Sequence, residues 1–316
     1  MNKIICITGS DGLIGTSLCE YFLSNGNTVI GIDDLSRYGN IVRPHHNHKN
    51  FRYLKDDVKE IKSTGLEGVD VFIHCAYEAG GINWWNHDHE LYYRRNRAIS
   101  LSVIDFLKVS NIPWIVWMSS SQVYENTINF PTAEDDVNKY PPTSGYAREK
   151  LQSEQDIMNC SLASKTTILR LFNVVGGEEL KCSTNDRGHV VIDLARKIKR
   201  SGGIRPIILQ GDGQQKRSFT MNIDMMDAVG KIVLNENNVC GIFNICGSEE
   251  ITIETLAQRL WNCCWSTDPI IEFDNRLIES DVSRRVGDNK LIQKNIEWQP
   301  ANNWSLVFKK IMQEVQ

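Results

Sequence analysis

The sequence predicts an α/β fold in which a doubly wound parallel sheet is followed by a smaller α/β lobe. Over the first 120 residues, short runs of apolar and β-branched residues alternate with stretches of helical spacing. The runs are almost continuously apolar, which is typical of parallel strands buried on both faces. A glycine-rich segment lies between the first run and the first helical stretch. These three features together are typical of a Rossmann-like sheet.

The predicted elements follow one another along the chain. Up to residue 173, apolar runs predict strands at 3–8, 28–33, 69–75, 114–119 and 166–172. Helical spacing predicts helices at 15–25, 95–110 and 146–159. After residue 173 the pattern is weaker, and it predicts helices at 190–200, 253–263 and 304–315 with strands at 207–209 and 241–245.

This change of pattern predicts two lobes. We expect a first lobe of residues 1–173 plus about 221–247, and a second lobe of about 174–220 plus 248–316. The lobes interleave because the strand at 241–245 is expected to return to the sheet of the first lobe.

The composition is that of a folded soluble protein. The chain has 316 residues, of which 41% are hydrophobic and 23% charged, with a formal net charge of −4. This balance predicts no binding to nucleic acid or to an anionic membrane, and no segment approaches the roughly 20 apolar residues that span a bilayer. Nine cysteines without a paired CxxC spacing predict reduced thiols in a cytoplasmic protein. The histidine-rich segment 44–48 is interpreted as a solvated loop, and no metal is expected.

The segment 8–15, TGSDGLIG, lies between a predicted strand and a predicted helix. Its first glycine permits a tight turn, its second lets the backbone approach a pyrophosphate, and its third lets the helix pack closely on the sheet. The open N–H groups of the helix N-terminus then favour the phosphates. The segment predicts a dinucleotide site formed by Gly9, Asp11, Gly12, Leu13, Ile14 and Gly15.

Two carboxylates are predicted to select and hold the cofactor. Asp33 ends the second predicted strand, 18 residues after Gly15, where it can accept both ribose hydroxyls of an adenosine and repel a 2′-phosphate. The predicted cofactor is therefore NAD rather than NADP, with Arg37 as the opposing observation. Asp57 is interpreted as a cap on the adenine, the alternative being an ordinary turn carboxylate.

Tyr146 and Lys150 are four residues apart on one predicted helix, so their side chains lie one above the other. The lysine ammonium, helped by the positive nicotinamide of NAD⁺, is expected to lower the pKa of the tyrosine, so that the phenolate can take a proton from a substrate hydroxyl. Serines 119–121 follow the strand at 114–119, on the ligand side of such a sheet. One of them can hydrogen-bond the same substrate oxygen, the alternative being a turn or cap serine.

These motifs resemble those of the extended short-chain dehydrogenases/reductases that act on nucleotide sugars. The resemblance covers nearly the whole chain and rests on residues 8–15, 74–76, 119–124, 146–150, 170–176, 211–219 and 298–300. It implies Ser120 as the catalytic hydroxyl, Ala76 beside the cofactor, and a nucleoside diphosphate sugar as substrate. For the sugar diphosphate it implies Asn173, Arg217 and Arg285. A surface salt bridge is the alternative role for either arginine.

Within that family, segment 74–82 is most similar to the AxxGGI segment of GDP-fucose synthases and GDP-mannose 3,5-epimerases. The likeness implies His189 as a second acid/base, the alternative being an exposed histidine at a helix start. Both relatives have a cysteine where this chain has Gln122, and a glutamine side chain cannot transfer protons at neutral pH. A double epimerisation that needs two such bases is therefore not expected. The likeness also implies substrate contacts from Gly81, Ser121 and Gln122.

The resemblance implies an NAD-dependent nucleotide-sugar epimerase, with a GDP-sugar favoured, that works through a transient 4-keto sugar. Tyr146, assisted by Ser120 and Lys150, would deprotonate the carbon-4 hydroxyl as NAD⁺ accepts the hydride. His189 would then invert a neighbouring carbon, or carbon 4 alone would be inverted. Two alternatives stay open: an NAD(P)H-dependent 4-keto-sugar reductase and, more remotely, a non-catalytic dinucleotide sensor. The family also implies a homodimer formed through residues 95–108 and 146–159.

Overall fold

The computed structural model describes residues 2–62, 64–79, 88–160, 164–181, 189–234, 239–274 and 282–315. Its main feature is a seven-stranded parallel sheet. Six of its strands come from the first 171 residues: β1 (Ile4–Thr8), β2 (Thr28–Asp33), β3 (Phe51–Lys55), β4 (Val71–His74), β5 (Trp114–Ser120) and β6 (Lys165–Leu171). The seventh, β11 (Gly241–Ile245), follows four short strands of the second half. The order across the sheet is β3-β2-β1-β4-β5-β6-β11.

The strand order changes direction beside β1. This strand pairs with β2 on one side and with β4 on the other, so that Thr8 is opposite both Ile32 and His74. In open parallel sheets, ligands bind beyond the carboxyl ends of the strands at such a switch point. The glycine-rich turn that follows Thr8 therefore lies at the position where the sheet itself favours a ligand site.

Helices cover both faces of the sheet. The described helices are α1 (Leu13–Ser24), α2 (His89–Val109), α3 (Gly145–Asn159), α4 (Val190–Ser201), α5 (Asn222–Leu234), α6 (Ile253–Trp261), α7 (Lys290–Ile296) and α8 (Trp304–Glu314). On one face α1 and α5 share a core that includes Phe22 and Val229. On the other face α2 and α3 share a core that includes Val103 and Ile157. Within the described ranges, every helix is too short or too polar to cross a bilayer.

A second core lies beside the sheet. Helices α4, α6 and α8 pack there through buried side chains that include Ile198, Trp261 and Phe308. Small sheets accompany them, formed by β7 (Val174–Val175), β8 (Ile207–Gln210), β9 (Lys216–Ser218), β10 (Thr220–Met221), β12 (Glu250–Thr252), β13 (Ile271–Asp274) and β14 (Arg284–Arg285). The sheet β12-β9-β14 matters most for the site, because it brings Arg285 beside Arg217.

The doubly wound parallel sheet is confirmed, whereas the helices α5 and α7 and most short strands of the second core were not predicted. Two elements of the first lobe also differ from their prediction. The edge strand β3 was not predicted, because FRYLK alternates in polarity and lies half-exposed, without an apolar run. The helix α2 begins at His89 instead of residue 95. Its first turns, HELYYRR, are mostly polar, but Asp88 caps them by accepting the backbone N–H of Leu91 at 2.8 Å.

Candidate active site

The turn between β1 and α1 has the shape that a dinucleotide phosphate needs. Gly9 has a φ of +67°, and a Cβ atom there would lie 2.8 Å from a backbone N of the segment after β4. A Cβ on Gly15 would lie 2.0 Å from the carbonyl oxygen of Gly9. Gly12 is the N-cap of α1 and has no side chain to cover the open N–H groups of the first turn. Since Leu13 and Ile14 in that turn line a large cavity, the turn fits the pyrophosphate of NAD.

Asp33 lies at the end of β2 next to this turn. Its two carboxylate oxygens accept the backbone N–H groups of Asp11, at 3.0 Å, and of Leu35, at 2.8 Å. Each oxygen keeps a further lone pair with which to accept a ribose hydroxyl. Arg37 was the residue whose position opposed the choice of NAD over NADP. Its guanidinium is bonded to the carbonyl of Ala79 and lies 3.6 Å from the Glu179 carboxylate. Asp33 therefore retains the acceptor positions that an unphosphorylated ribose needs.

The affinity for NAD is expected to depend on the charge of Asp33. Burial raises the pKa of Asp33 to about 6, against the opposing effect of its two backbone hydrogen bonds. A ribose hydroxyl binds the ionised carboxylate more strongly than the neutral acid, so binding is lost as the pH falls through this pKa. We expect NAD to bind about tenfold more weakly at pH 5 than at pH 7, which a fluorescence titration measures.

Two variants separate this effect from a general response to acid. Asp33→Asn should bind NAD weakly at both pH values, with little change between them. Asp34→Asn, in the exposed neighbour whose carboxylate accepts the N–H of Ser36, should behave like the wild type. Unchanged pH dependence in Asp33→Asn would contradict the assignment.

The carboxylate of Asp11 is occupied by contacts with two histidines. It is fully buried, with Oδ1 at 2.8 Å from Nε2 of His46 and 3.4 Å from Nε2 of His45. The prediction of a solvated loop at 44–48 is therefore wrong. Pro44–Asn47 form a 3₁₀ turn, and the ring of the buried His45 packs against Phe51 with 4.7 Å between centroids. A buried carboxylate needs such partners. The part of Asp11 that contacts the cofactor site is its backbone N–H, which donates to the carboxylate of Asp33.

Asp11, His45 and His46 have the ligand types of a metal site, with ligand atoms within 4.8 Å of one another. Two ligands of one tetrahedral zinc are roughly 3.3 Å apart, since each lies about 2.05 Å from the metal. The 2.8 Å between Asp11 and His46 is shorter and is an ordinary hydrogen-bond distance. Burial opposes the ionisation of Asp11, but hydrogen bonds from both histidines outweigh it and lower its pKa. The cluster is a set of hydrogen bonds that stabilises the glycine turn.

Asp57 and Ala76 are the other predicted cofactor contacts. Asp57 caps a short 3₁₀ turn, where one oxygen accepts the N–H of Lys59 at 2.9 Å and the other lies 3.1 Å from the Lys59 ammonium. Its carboxylate thus has the partners of a turn residue, and its contact with adenine stays a prediction. The N–H of Ala76 donates to Oγ1 of Thr8 at 3.2 Å, which holds the segment after β4 against the end of β1.

Ser120 and Tyr146 meet in one large cavity of about 1430 Å³. Ser120 ends β5 and Tyr146 lies in the first turn of α3, and their side chains hydrogen-bond to each other. Oγ of Ser120 also accepts the backbone N–H of Gln122 at 3.2 Å. The serine is therefore both a turn cap and the partner of the tyrosine.

The electrostatics of Tyr146 differ from the expectation. Burial raises the pKa of Tyr146, and the hydrogen bond from Ser120 and the charges of Arg37 and Arg285 offset this only in part. The ammonium of Lys150, which the i+4 spacing placed beside the tyrosine, lies 6.0 Å from the tyrosine ring centroid. Burial thus leaves the pKa of Tyr146 above its ordinary value, whereas the i+4 spacing predicted a lowered one. The further lowering expected from the positive nicotinamide of NAD⁺ stays a prediction.

Tyr77 is a neighbour of Lys150 and Tyr146 that the sequence did not identify. The ammonium of Lys150 lies 3.4 Å from the centroid of the Tyr77 ring and donates to the carbonyl of Met118 at 2.8 Å. The same ring stands edge-on to Tyr146, with 5.5 Å between centroids. Burial lowers the pKa of Lys150, and the electron-rich face of Tyr77 favours its charged form. The only sequence signal was the position of Tyr77 directly after Ala76.

The residues predicted at the sugar diphosphate lie in the wall of the same cavity. Arg217 in β9 and Arg285 in β14 are in-register neighbours on parallel strands, so their side chains leave the same face of the small sheet. Asn173 has a left-handed backbone, with a φ of +39°, and its amide donates to the carbonyl of Ser218 at 2.7 Å. Arg217 is buried, unlike a surface salt-bridge residue. Two adjacent guanidinium groups in a cavity suit a diphosphate.

The remaining predicted substrate contacts divide into two groups. Ser121 and Gln122 line the cavity beside Ser120. Gly81 lies outside the described residues, as do the rest of segment 80–87 and residues 187 and 188.

His189 lines the cavity directly before α4. Its Nδ1 is bonded to Oε1 of Glu179, and the same oxygen lies 3.2 Å from the backbone N of His189. The imidazole stays 46% exposed, whereas the glutamate side chain is 3% exposed. Glu179 was not predicted as a functional residue, because it belongs to no motif and approaches His189 only through the fold.

A buried ion pair joins the elements that carry Ser120 and Tyr146. Nη2 of Arg170 lies 2.6 Å from Oε2 of Glu154, and both side chains are 2% exposed. Glu154, on α3, also accepts the hydroxyl of Ser119 at the end of β5. Arg170 comes from β6, so the pair connects two neighbouring strands with the helix that carries Tyr146.

Comparison with known proteins identifies the family. The pattern of the NAD dependent epimerase/dehydratase family matches residues 5–246. The chain belongs to this family. It is therefore an enzyme of the nucleotide-sugar epimerase/dehydratase type, and its cofactor is NAD. In this epimerase/dehydratase the matched range includes the glycine turn, Ser120, Tyr146, Lys150 and Arg217, whereas Arg285 follows it.

Individual relatives of this epimerase/dehydratase span most of the chain. The "Uncharacterized UDP-glucose epimerase YtcB" of Bacillus subtilis strain 168 is 28% identical over 322 residues, which cover 96% of this chain and 90% of that protein. The GDP-mannose 3,5-epimerase of Arabidopsis thaliana is 24% identical over 306 residues, which cover 95% of this chain and 78% of that protein.

Solved structures share the fold. The UDP-N-acetylglucosamine 4-epimerase of Methanobrevibacter ruminantium M1, in complex with UDP-N-acetylmuramic acid, has a TM-score of 0.85 at 23% identity and covers 99% of this chain and 97% of that chain. The UDP-glucuronic acid 4-epimerase of Bacillus cereus, in complex with UDP-glucuronic acid and NAD, has a TM-score of 0.83 at 21% identity and covers 98% of this chain and 99% of that chain.

Proposed function

We propose that this family member is a nucleotide-sugar epimerase that works through a transient 4-keto sugar. The observation that carries the proposal is the hydrogen-bonded pair of Ser120 and Tyr146, in a cavity whose wall also holds His189. The same wall holds Arg217 and Arg285, which are suited to bind the diphosphate and so direct the sugar toward the tyrosine.

The first step is removal of the proton from the carbon-4 hydroxyl. Tyr146 takes this proton as its phenolate, while Ser120 holds the sugar oxygen by a hydrogen bond. Arg37 and Arg285, whose charges act against the effect of burial on the pKa of Tyr146, favour the phenolate. NAD, when bound by the glycine turn and Asp33, would supply the acceptor for the hydride of carbon 4 and the source of its return.

The second step uses the acidity of the ketone. A carbonyl at carbon 4 acidifies the neighbouring C–H bonds, and His189 removes one of these protons. Solvent water then protonates the enolate from the opposite face, which inverts that carbon, and His189 returns its proton to the solvent. Return of the hydride to carbon 4 and of the proton from Tyr146 to the oxygen restores the hydroxyl. Gln122 cannot act as a further base, so a single carbon beside carbon 4 is inverted.

The nucleobase of the substrate, the oligomeric state and the cellular location are proposed as follows. A GDP-sugar is the first candidate substrate, supported by the likeness of segment 74–82 to GDP-sugar enzymes. The protein is proposed to act in the cytoplasm as a homodimer that pairs α2 and α3 of each subunit, which would cover the exposed side chains of Leu101, Val109 and Met158. Residues 1–173 with about 221–247 would hold NAD, and the remainder would hold the nucleoside diphosphate.

A panel of nucleotide sugars in deuterated water tests the proposal. The purified protein is incubated with GDP-mannose, UDP-glucose, UDP-glucuronic acid and UDP-N-acetylglucosamine, with and without added NAD, and the products are analysed by NMR and mass spectrometry. We expect one sugar to give an epimer that carries a single deuterium beside carbon 4, without net formation of NADH. Strongest turnover of the GDP-sugar would support the finer proposal.

Three results would contradict parts of it. Inversion at carbon 4 without deuterium would remove the role of His189. Stoichiometric oxidation of NAD(P)H by a 4-keto sugar would identify a reductase. Preference for a UDP-sugar would show that the substrate carries uracil and not the proposed guanine.

A further inference from the structure

A buried carboxylate in the cavity wall is bonded to the proposed base. Glu179 is almost fully buried. Its Oε1 is bonded to Nδ1 of His189 and lies 3.2 Å from the backbone N of the same residue. From this geometry we infer that Glu179 is a positioning residue, which fixes the imidazole of His189 so that Nε2 is the nitrogen that meets the sugar. The inference rests on the proposed function of His189 as a base.

The charge of Glu179 decides which ring nitrogen of His189 carries the hydrogen. Burial alone would favour the neutral acid, but the contact with His189 and the charge of Arg37, 3.6 Å away, outweigh burial and lower the pKa of Glu179. An ionised carboxylate only accepts hydrogen bonds. Nδ1 of His189 must therefore carry hydrogen, which leaves the lone pair of the neutral ring on Nε2.

Both partners of this contact belong to anchored segments. Glu179 lies in the 3₁₀ turn Gly177–Lys181, where the carbonyl of Glu178 accepts from the buried Arg43 at 3.1 Å. His189 is the N-cap of α4, a helix that packs in the second core. A base held between two fixed segments loses little freedom when it reaches the transition state, which is how positioning contributes to rate.

The neighbouring glutamate of the same turn provides a matched control. Glu178 is nearly as buried as Glu179, but its carboxylate bonds to Asn222 at 3.2 Å and lies 3.6 Å from the ammonium of Lys310. E178Q therefore changes one buried carboxylate of the turn without touching the contact with His189.

The experiment compares the wild type with E179L, E179Q and E178Q by two measurements. NMR of protein labelled with nitrogen-15 histidine shows which ring nitrogen of His189 is protonated, and H189N identifies its signal. Turnover in deuterated water of the nucleotide sugar that the panel identifies gives the rate of deuterium uptake beside carbon 4, separately from the rate of sugar oxidation.

The variants are expected to differ as follows. The wild type and E178Q should carry hydrogen on Nδ1. E179L should change to the Nε2–H form that free histidine prefers. It should slow deuterium uptake by roughly 10- to 100-fold, with KM and the rate of sugar oxidation within about twofold of the wild type. The amide oxygen of E179Q can still accept from Nδ1. The rate of deuterium uptake in E179Q should therefore lie between those of the wild type and E179L.

The outcomes separate this inference from the proposed function. Retention of the Nδ1–H form and of wild-type deuterium uptake in E179L would overturn it. Equal loss of deuterium uptake and sugar oxidation in E179L and E179Q would also overturn it, because that pattern indicates a structural role. A wild type that inverts its sugar without deuterium uptake would instead contradict the role of His189, while the NMR comparison would still test the positioning by Glu179.

Discussion

Replacing Tyr146 by phenylalanine is expected to lower kcat by roughly 10²- to 10⁴-fold, the usual contribution of a general acid–base group. Phenylalanine keeps the ring and its edge-on contact with Tyr77, but it removes the oxygen that bonds Ser120. The substrate and NAD should bind nearly as in the wild type, because the glycine turn and the cavity arginines are unchanged. The rate of epimer formation, followed by NMR, measures the effect.

A second tyrosine provides the control for this change. Tyr140→Phe removes a phenol oxygen from a half-buried residue outside the cavity wall and should change kcat by less than about twofold. A Tyr146→Phe enzyme that binds NAD and turns over like Tyr140→Phe would end the proposed chemistry. That result would favour a dinucleotide sensor instead.

The largest effect on stability is expected at the buried ion pair. Replacing Arg170 by leucine should lower the free energy of unfolding by about 3–5 kcal/mol, because it leaves the Glu154 carboxylate buried without its cation. Arg170 also donates to the hydroxyl of Tyr124 at 2.7 Å, and that bond is lost as well. Urea denaturation followed by tryptophan fluorescence measures the change.

Two further variants test this reason for the loss. Lys231→Ala breaks an exposed pair with Asp227, four residues earlier on α5 and 3.4 Å away, and should cost no more than about 0.5 kcal/mol. The double variant Arg170→Leu/Glu154→Leu removes both buried charges and should recover part of the loss. If Arg170→Leu were as stable as Lys231→Ala, the buried pair would not support the catalytic elements.

The sequence was sufficient to predict the sheet because most of its strands are buried on both faces. β2 and β11 have the predicted bounds, and the predictions for β1 and β5 differ from the structure by one residue. β3 could not be recognised, since an edge strand needs no continuous apolar run. Local pattern thus predicts the strands that lie inside the sheet better than those at its margin.

The same division holds for the site. Tyr146 and a partner among serines 119–121 were predictable because the end of a parallel strand and the start of the next helix lie at the same edge of the sheet. The family resemblance then selected Ser120. Glu179 and Tyr77 were not predictable, because their contacts with His189 and Lys150 arise from tertiary packing and leave no spacing in the chain. The pKa of Tyr146 was missed for a related reason, since it depends on burial that sequence does not reveal.

The strand β11 comes late in the sequence, and this affects how the chain must fold. This strand pairs with β6 from Gly241 opposite Thr167 to Ile245 opposite Leu171, although some 70 residues separate the two segments. Until residue 245 has left the ribosome, β6 is an open edge whose unpaired N–H and C=O groups can recruit another chain. Fragments that end after the catalytic helix should therefore aggregate during expression, even though they contain both the glycine turn and the tyrosine.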